Sequence, residues 1–274
     1  MSLFKVEAEK CNRDGICAAE CPFKIIELKD KDSLPVPVEG AESICINCGH
    51  CVAVCPAGAL THAKISPEDC TPMNPEWKFS PEQTEHFLRQ RRSQRTYKNK
   101  KVVRETLTRL IKMASYAPSG HNRQPVSWRI IYEKNEMESF TNHVADWMRF
   151  MIKEQPDFAR SMHMDMVVGA WEAGVDVILR DAPHLIIAHG PKADPTVPAA
   201  CTIAMTYLEL AAPSLGLGGC WAGFFNAAAM FWPPLQKAMD LPEGHGCFGS
   251  FMIGEPKFKY RLMPPRNEPV ISWA

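Results

Sequence analysis

Cys45, Cys48, Cys51 and Cys55 stand with two, two and three residues between them in the run Cys45-Ile46-Asn47-Cys48-Gly49-His50-Cys51-Val52-Ala53-Val54-Cys55-Pro56. Three thiols wound this tightly around one corner can each bond a different iron of a single sulfide cube. The fourth lies too far along the turn for that cube and is free to ligate a neighbouring one. Gly49 lets backbone pass close to sulfide, and Pro56 stops the chain folding back over the site. Structural zinc sites usually carry two C-x-x-C hooks separated by a longer loop. The spacing therefore favours iron–sulfur chemistry over zinc.

If Cys55 serves a second cluster, a second half-motif should exist. Cys11-Asn12-Arg13-Asp14-Gly15-Ile16-Cys17-Ala18-Ala19-Glu20-Cys21-Pro22 has the same frame, with Asp14 where the second cysteine would stand. Each half continues as loop, turn and short apolar strand, Lys24–Leu28 in the first and Ala59–His62 in the second. This internal repeat resembles the bacterial two-cluster ferredoxin over residues 1–65. The resemblance implies one cluster on Cys45, Cys48, Cys51 and Cys21. It implies another on Cys11, Cys17 and Cys55, completed by Asp14 or by nothing. A carboxylate is a harder and poorer ligand for iron in a sulfide cube than a thiolate. One labile iron is therefore expected, in a [4Fe-4S] cluster closed by Asp14 or water, or a [3Fe-4S] cluster. The alternative makes Asp14 a loop residue and draws the fourth thiol from Cys70, which sits in a Pro-rich connector.

At 274 residues the chain has room for one large domain and a small one. Its formal net charge is zero, which argues against nucleic acid or a membrane surface as principal partner. Of 11 cysteines, seven fall within the first 55 residues, which reads as metal ligation in a reducing compartment rather than a disulfide framework. Met1–Glu7 lacks the basic-then-apolar pattern of a signal peptide. The apolar stretch 208–230 is interrupted by Pro213, by glycines and by Asn226. A cytoplasmic protein is expected.

The elements that must position this chemistry follow in order. Three prolines in the connector 66–77 disfavour helix and favour a stiff, extended strap. Ser80-Pro81-Glu82-Gln83 then has a cap, a first-position proline and a capping box, so a second domain is expected over residues 78–274. Its first helix runs into Arg89–Lys101, which holds seven cations and no acid. Leu107, Leu110, Ile111 and Ala114 mark a second helix. Val126–Tyr132 reads as a strand, residues 136–180 as helical, and Leu185–Ala188 as a buried strand. A helix apolar nearly all round is expected from about Ala199 to Leu210, then the glycine-rich Gly216–Gly219, a helix near Pro234–Met239, and a strand at Cys247–Ile253. The tail from Pro256 is rich in proline and basic residues.

Several segments of this second domain occur in the order found in one family. They are Arg91-Arg92-Ser93-Gln94-Arg95, Ala117–Pro125 before a Trp-bearing strand, Asp181-Ala182-Pro183, Gly216-Leu217-Gly218 leading to Cys220-Trp221, and Ile253–Arg261. Together they resemble the nitroreductase family of FMN enzymes over residues 78–274. The resemblance implies an α+β domain with a central, mostly antiparallel sheet flanked by helices, and a homodimer with FMN at the subunit interface. A phosphate dianion is best held by guanidinium forks plus a hydroxyl. Arg91, Arg92, Ser93 and Arg95, with Lys259 or Arg261, could supply them. Pro118, Ser119, Asn122 and Gln124 would face the flavin ring edge, with Asn122 and Gln124 as ordinary turn residues the alternative. By the family match, backbone at Trp221, Ala222 and Gly223 faces the reactive edge. No G-x-G-x-x-G links a strand to a helix, so a Rossmann dinucleotide site is not expected.

Flavin enzymes of this kind leave the hard chemistry to the cofactor. His121 and His163 could deliver a proton, although a surface or core role suits each as well. Trp147, Met151 and Phe224 are candidates for lining a substrate pocket. The combined expectation is an iron–sulfur flavoprotein oxidoreductase in which clusters feed FMN, and FMN feeds a nitro compound, quinone or activated alkene. Reduced ferredoxin, another low-potential protein or NAD(P)H would be the donor, and a covalent strap makes delivery intramolecular. The alternatives are another flavin reaction such as reductive dehalogenation, a non-catalytic electron carrier or redox sensor, and a binder using the basic run.

Overall fold

In the computed structural model, which describes residues 2–274, each half of the cysteine repeat is bent by a glycine at the same point. Gly15 (φ 71°) precedes α1 (Ile16–Glu20), and Gly49 (φ 75°) precedes α3 (His50–Ala53). Two residues earlier, Arg13 and Asn47 are also left-handed, at φ 57° and 51°. Glycine takes this conformation without the Cβ penalty, so it stands where the loop must turn into a helix. Between the halves lie β2 (Ile26–Glu27), β3 (Val36–Pro37) and α2 (Ala41–Ile44). β1 (Phe4–Val6) pairs antiparallel with β4 (Leu60–His62), and β2 with β3. The strands of the two halves thus pair with other segments and not with each other. Leu3, Phe4, Ile25, Ile26, Val52 and Leu60 form a small core with Cys17 and Cys21.

This first unit spans the chain up to Lys78 and includes His121–Arg123; the second comprises Phe79–Gly120 and Gln124–Ala274. The connector is not the extended strap expected. It makes 3-10 turns at Pro67–Asp69 and Pro75–Trp77. A proline blocks a helix interior but suits its first position, and Ser66 and Asn74 cap these turns.

The second unit is built on one antiparallel sheet in the order β5 (Ser127–Ile131), β6 (His184–Pro191), β8 (His245–Gly254), β7 (Gly218–Trp221). Alternate residues of β6 feed opposite faces. Leu185 and Ile187 join a core with Val144, Met148, Phe225 and Met252. Ile186 and Ala188 join another with Leu107, Leu110, Met205 and Leu208. Because both faces are covered, Leu185–Ala188 within β6 is a continuous apolar run with no polar alternation.

The helices are α4 (Pro81–Arg89), α5 (Arg104–Ala114), α6 (Lys134–Glu154), α7 (Pro156–Ser161), α8 (Met164–Glu172), α9 (Val197–Ala211), α10 (Gly223–Phe231) and α11 (Pro233–Ala238). The Ser80–Gln83 capping box forms at α4 as expected. Residues 136–180 do not form one helical run. Gln155 leaves helical geometry before Pro156, His163 is left-handed at φ 53°, and the chain exits after Glu172 through Gly174 at φ 81°. Proline drives the residue before it out of the helical region, which sets the first break. Among the described residues no helix is long and apolar enough to cross a membrane.

Candidate cluster sites and a basic cradle

The tight turns of the first unit aim its cysteines into two separate cavities. Cys21, Cys45, Cys48 and Cys51 line one, together with Asn47, His50 and His62. Cys11, Asp14, Cys17 and Cys55 line the other, with Pro35 and Leu60. Asp14 therefore occupies in its loop the place Cys48 has in the other, and its Oδ1 accepts the Ile16 N–H at 3.1 Å. Cys70 lines neither cavity; its Sγ donates to the Ser66 carbonyl at 3.5 Å.

Among the described residues, no three His, Cys, Asp or Glu side chains converge closely enough for a single metal ion. The thiols instead ring a space, which is the arrangement a multi-iron cluster requires. Burial first, then the neighbouring Cys48, Cys45 and Cys17 sulfurs, pushes the Cys51 thiol up to about 11. Cys17 is raised by burial and by Cys11, Cys55 and Asp14. Thiols raised this way would ionise only with a cationic centre among them, and four soft donors around one space fit an iron–sulfur cluster. Buried His62 lies 3.6 Å from Cys45 Sγ through Nε2, while its Nδ1 accepts the Lys64 N–H at 3.1 Å. Burial, then Lys64, lowers its basicity.

In the second unit, backbone pairing gathers three distant segments. Gln94 N–H donates to the Gly219 carbonyl at 2.8 Å, Lys98 N–H to Glu255 at 2.9 Å, and Lys257 N–H to Thr96 at 3.1 Å. Only glycine fits at position 219, since a Cβ would stand 2.1 Å from the Phe251 ring and 2.2 Å from the Met252 carbonyl oxygen. The segments enclose a cavity of about 730 Å³ lined by Arg91, Arg92, Lys98, Lys259 and Arg261, opposed by Glu209 and Glu255. The Arg92 Nε is buried there without a hydrogen-bond partner. An excess of guanidinium and ammonium groups around an orphaned donor fits a phosphate-bearing ligand.

Ser93 and Arg95 stand beside this cradle and do not line it. The Ser93 hydroxyl accepts from Arg91 Nη1 at 3.4 Å, and exposed Arg95 donates to the Ser93 carbonyl at 3.3 Å. Glu209 on α9 is a residue sequence reasoning missed. Its Oε1 accepts from Arg91 Nη1 at 2.7 Å and its Oε2 from Trp221 Nε1 at 3.2 Å. A lone carboxylate inside an otherwise apolar helix was the signal that could have found it. Ala222 is buried at the start of α10, and Gly223 is exposed, with open space where a Cβ would stand.

The remaining candidates are not brought to the cradle of the same chain. Pro118, Ser119 and Gln124 line a separate cavity of about 280 Å³ with Trp128 and Ala200. The Ser119 hydroxyl there accepts the Gln124 N–H at 2.9 Å. Asn122 belongs to the first unit, where its Nδ2 donates to the carbonyls of Asn47 at 3.0 Å and Ile46 at 3.4 Å. His121, also of that unit, is exposed and stacks on Phe23. His163 is exposed at the head of α8, and Trp147 is packed into the larger core.

Comparison with known proteins matches two parts of the chain. Residues 88–255 match the model of the nitroreductase family, and residues 9–60 match that of the 4Fe-4S dicluster domain. The iodotyrosine deiodinase of Thermotoga neapolitana is 26% identical over 195 residues, covering 68% of this chain and 95% of that protein. A nitroreductase with bound FMN from Desulfitobacterium hafniense aligns with 70% of this chain and 97% of its own, at 23% identity and a TM-score of 0.55. A nitroreductase with bound FMN from Bacteroides fragilis aligns with 69% of this chain and 98% of its own, at 19% identity and a TM-score of 0.54. These two likenesses establish the fold of the second unit.

Proposed function

This chain belongs to the nitroreductase family and carries a 4Fe-4S dicluster domain, and from that premise we propose that it is an iron–sulfur flavoprotein oxidoreductase that reduces an organic acceptor. The observation that carries the proposal is the coexistence of two thiol-ringed cavities and a cationic cradle on one polypeptide. Cys21, Cys45, Cys48 and Cys51 would hold one cluster. Cys11, Cys17 and Cys55 would hold the other, with Asp14 as its fourth, harder ligand. Arg91, Arg92, Lys259 and Arg261 would bind the FMN phosphate, with Ser93 and Arg95 shaping the loop that presents them. Clusters supply one-electron transfer, and bound FMN supplies the exchange between one-electron and two-electron chemistry.

The chain's own residues bind and orient. Glu209 fixes the Arg91 fork and the Trp221 ring, and Gly223 has open space beside its backbone. Pro118, Ser119 and Gln124 line a different cavity from the cradle, so a homodimer would let one copy complete the ring site of the other. Reduced ferredoxin, another low-potential protein or NAD(P)H would be the donor, and a nitro compound, quinone or activated alkene the acceptor. The likeness to a protein named iodotyrosine deiodinase favours a second reading, in which a halogenated aromatic is the acceptor.

The test is the visible spectrum and the iron, sulfide and flavin content of anaerobically purified protein, followed by turnover against nitro, quinone, alkene and haloaromatic acceptors. Flavin bands over a broad iron–sulfur absorbance are expected, with multiple turnovers. Colourless protein or bound zinc would end the proposal. Unchanged turnover of Cys48→Ala with every donor would reduce the clusters to a structural role. For Asp14, EPR and iron counting on Asp14→Cys should differ from the wild type; identical spectra remove it from the ligand set.

A further inference from the structure

Besides Asp14 in place of Cys48, a second difference between the two thiol-ringed cavities bears on electron affinity. The offset that carries Cys11 onto Cys45 and Cys17 onto Cys51 also carries Leu28 onto His62. His62 lies on β4, opposite Phe4, is 5% exposed, and lines the cavity of Cys21, Cys45, Cys48 and Cys51. Its tautomer is fixed by its own backbone neighbourhood. Nδ1 accepts the Lys64 N–H at 3.1 Å, so the ring proton sits on Nε2. That Nε2 faces Cys45 Sγ at 3.6 Å, a normal N–H···S separation given the large radius of sulfur. At the other cavity, the donor to a ligand sulfur is backbone, Ala59 N–H to Cys55 Sγ at 3.3 Å.

We propose that His62 raises the reduction potential of the Cys45-bound cluster, and not that of the other, by donating an Nε2–H hydrogen bond to the Cys45 thiolate. The inference rests on the ligand sets assigned under the proposed function. Adding one electron to a cluster breaks no bond and raises the negative charge shared by its thiolates. A donor on one thiolate stabilises that reduced state more than the oxidised one, and hydrogen bonds to the sulfurs are among the factors that set such potentials. Leu28 has no polar hydrogen, so the matching position in the first half can do nothing of the kind.

The experiment is an EPR-monitored redox titration of the anaerobic full chain, wild type against His62→Phe. One of the two couples should fall by about tenfold in its reduction equilibrium, which is about 59 mV for one electron. The second couple should not move. His62→Gln keeps an N–H donor and should restore part of the shift. Two unmoved couples, or two that move together, would overturn the proposal. If His62→Phe does not assemble its clusters, wild-type protein with 15N-labelled histidine decides the matter by pulsed EPR. A through-bond nitrogen coupling from one histidine is expected, and its absence overturns the inference. Wild-type protein lacking iron and sulfide would instead mark the failure of the functional reading itself.

Discussion

The Arg91 guanidinium donates to the Glu209 carboxylate at 2.7 Å, across 118 residues of sequence. Glu209 also accepts the Trp221 indole N–H, so one carboxylate joins the arginine loop to the end of β7. The Arg91 side chain is 27% exposed and that of Glu209 10%, so the pair is partly screened. Glu209→Ala leaves two donors without their acceptor and should cost about 1–3 kcal/mol, toward the lower figure because of that exposure. Glu209→Gln retains an acceptor for the indole and should cost less. Thermal unfolding of the flavin-free protein measures both, and equal midpoints for the two variants would contradict this account.

Gly219→Ala should be far more damaging than its one added methyl suggests. The new carbon would meet the Phe251 ring and the Met252 carbonyl oxygen, and the carbonyl belongs to backbone that cannot swing away. Overpacking of a fixed neighbour costs about 1–3 kcal/mol. Moving β7 would also shift the Gly219 carbonyl that receives Gln94 N–H. A lowered denaturation midpoint together with weakened flavin retention is expected. Gly223→Ala, in open space, serves as the control and should leave stability nearly unchanged.

His184 gives the fold a dependence on acid that can be isolated. It is fully buried, stacks on Tyr132, and accepts the Val102 N–H at Nε2 over 2.9 Å. Burial first, then the Lys101 charge, lowers its pKa from 6.5 to about 4. Between these values the unfolded chain binds a proton that the folded chain refuses. The stabilising contribution is therefore complete above about pH 6.5 and drains away as pH falls toward 4, by about 3 kcal/mol at most. His184→Gln can keep an acceptor for Val102 without this titration. The gap in melting temperature between the two proteins should change across pH 6.5–4 and be flat above it.

Lys259 and Arg261 line the cradle from the tail, on a segment tied to residues 96–98 by backbone hydrogen bonds. Lys259→Ala and Arg261→Ala should each weaken binding of FMN more than binding of riboflavin, which lacks the phosphate. The FMN loss should also shrink at high salt, where the wild-type contact is already screened. Equal losses for the two flavins would place these side chains elsewhere.

The cysteine spacings and the repeat were legible because they are local: a ligand loop must turn within a few residues, so its chemistry and its glycines sit side by side in sequence. The capping box at Ser80, the apolar stripe of α5 and the buried run of β6 were readable for the same reason. The helix breaks at Gln155 and His163 were harder, since methionine-rich helical composition runs straight across them. The proline-rich connector misled because proline forbids the interior of a helix but favours its first turn.

Sequence alone determined which residue types this protein offers for chemistry, and that two cysteine loops of iron–sulfur spacing share a chain with an arginine-rich segment, because these depend on bonding preference and short-range turns. Tertiary structure alone decided that Glu209 meets Arg91 and Trp221, that Gly219 has no room for a side chain, and that His62 faces Cys45. Those relationships arise where segments far apart in sequence are pressed together by the burial of apolar faces, and no spacing along the chain encodes which atoms then come into contact.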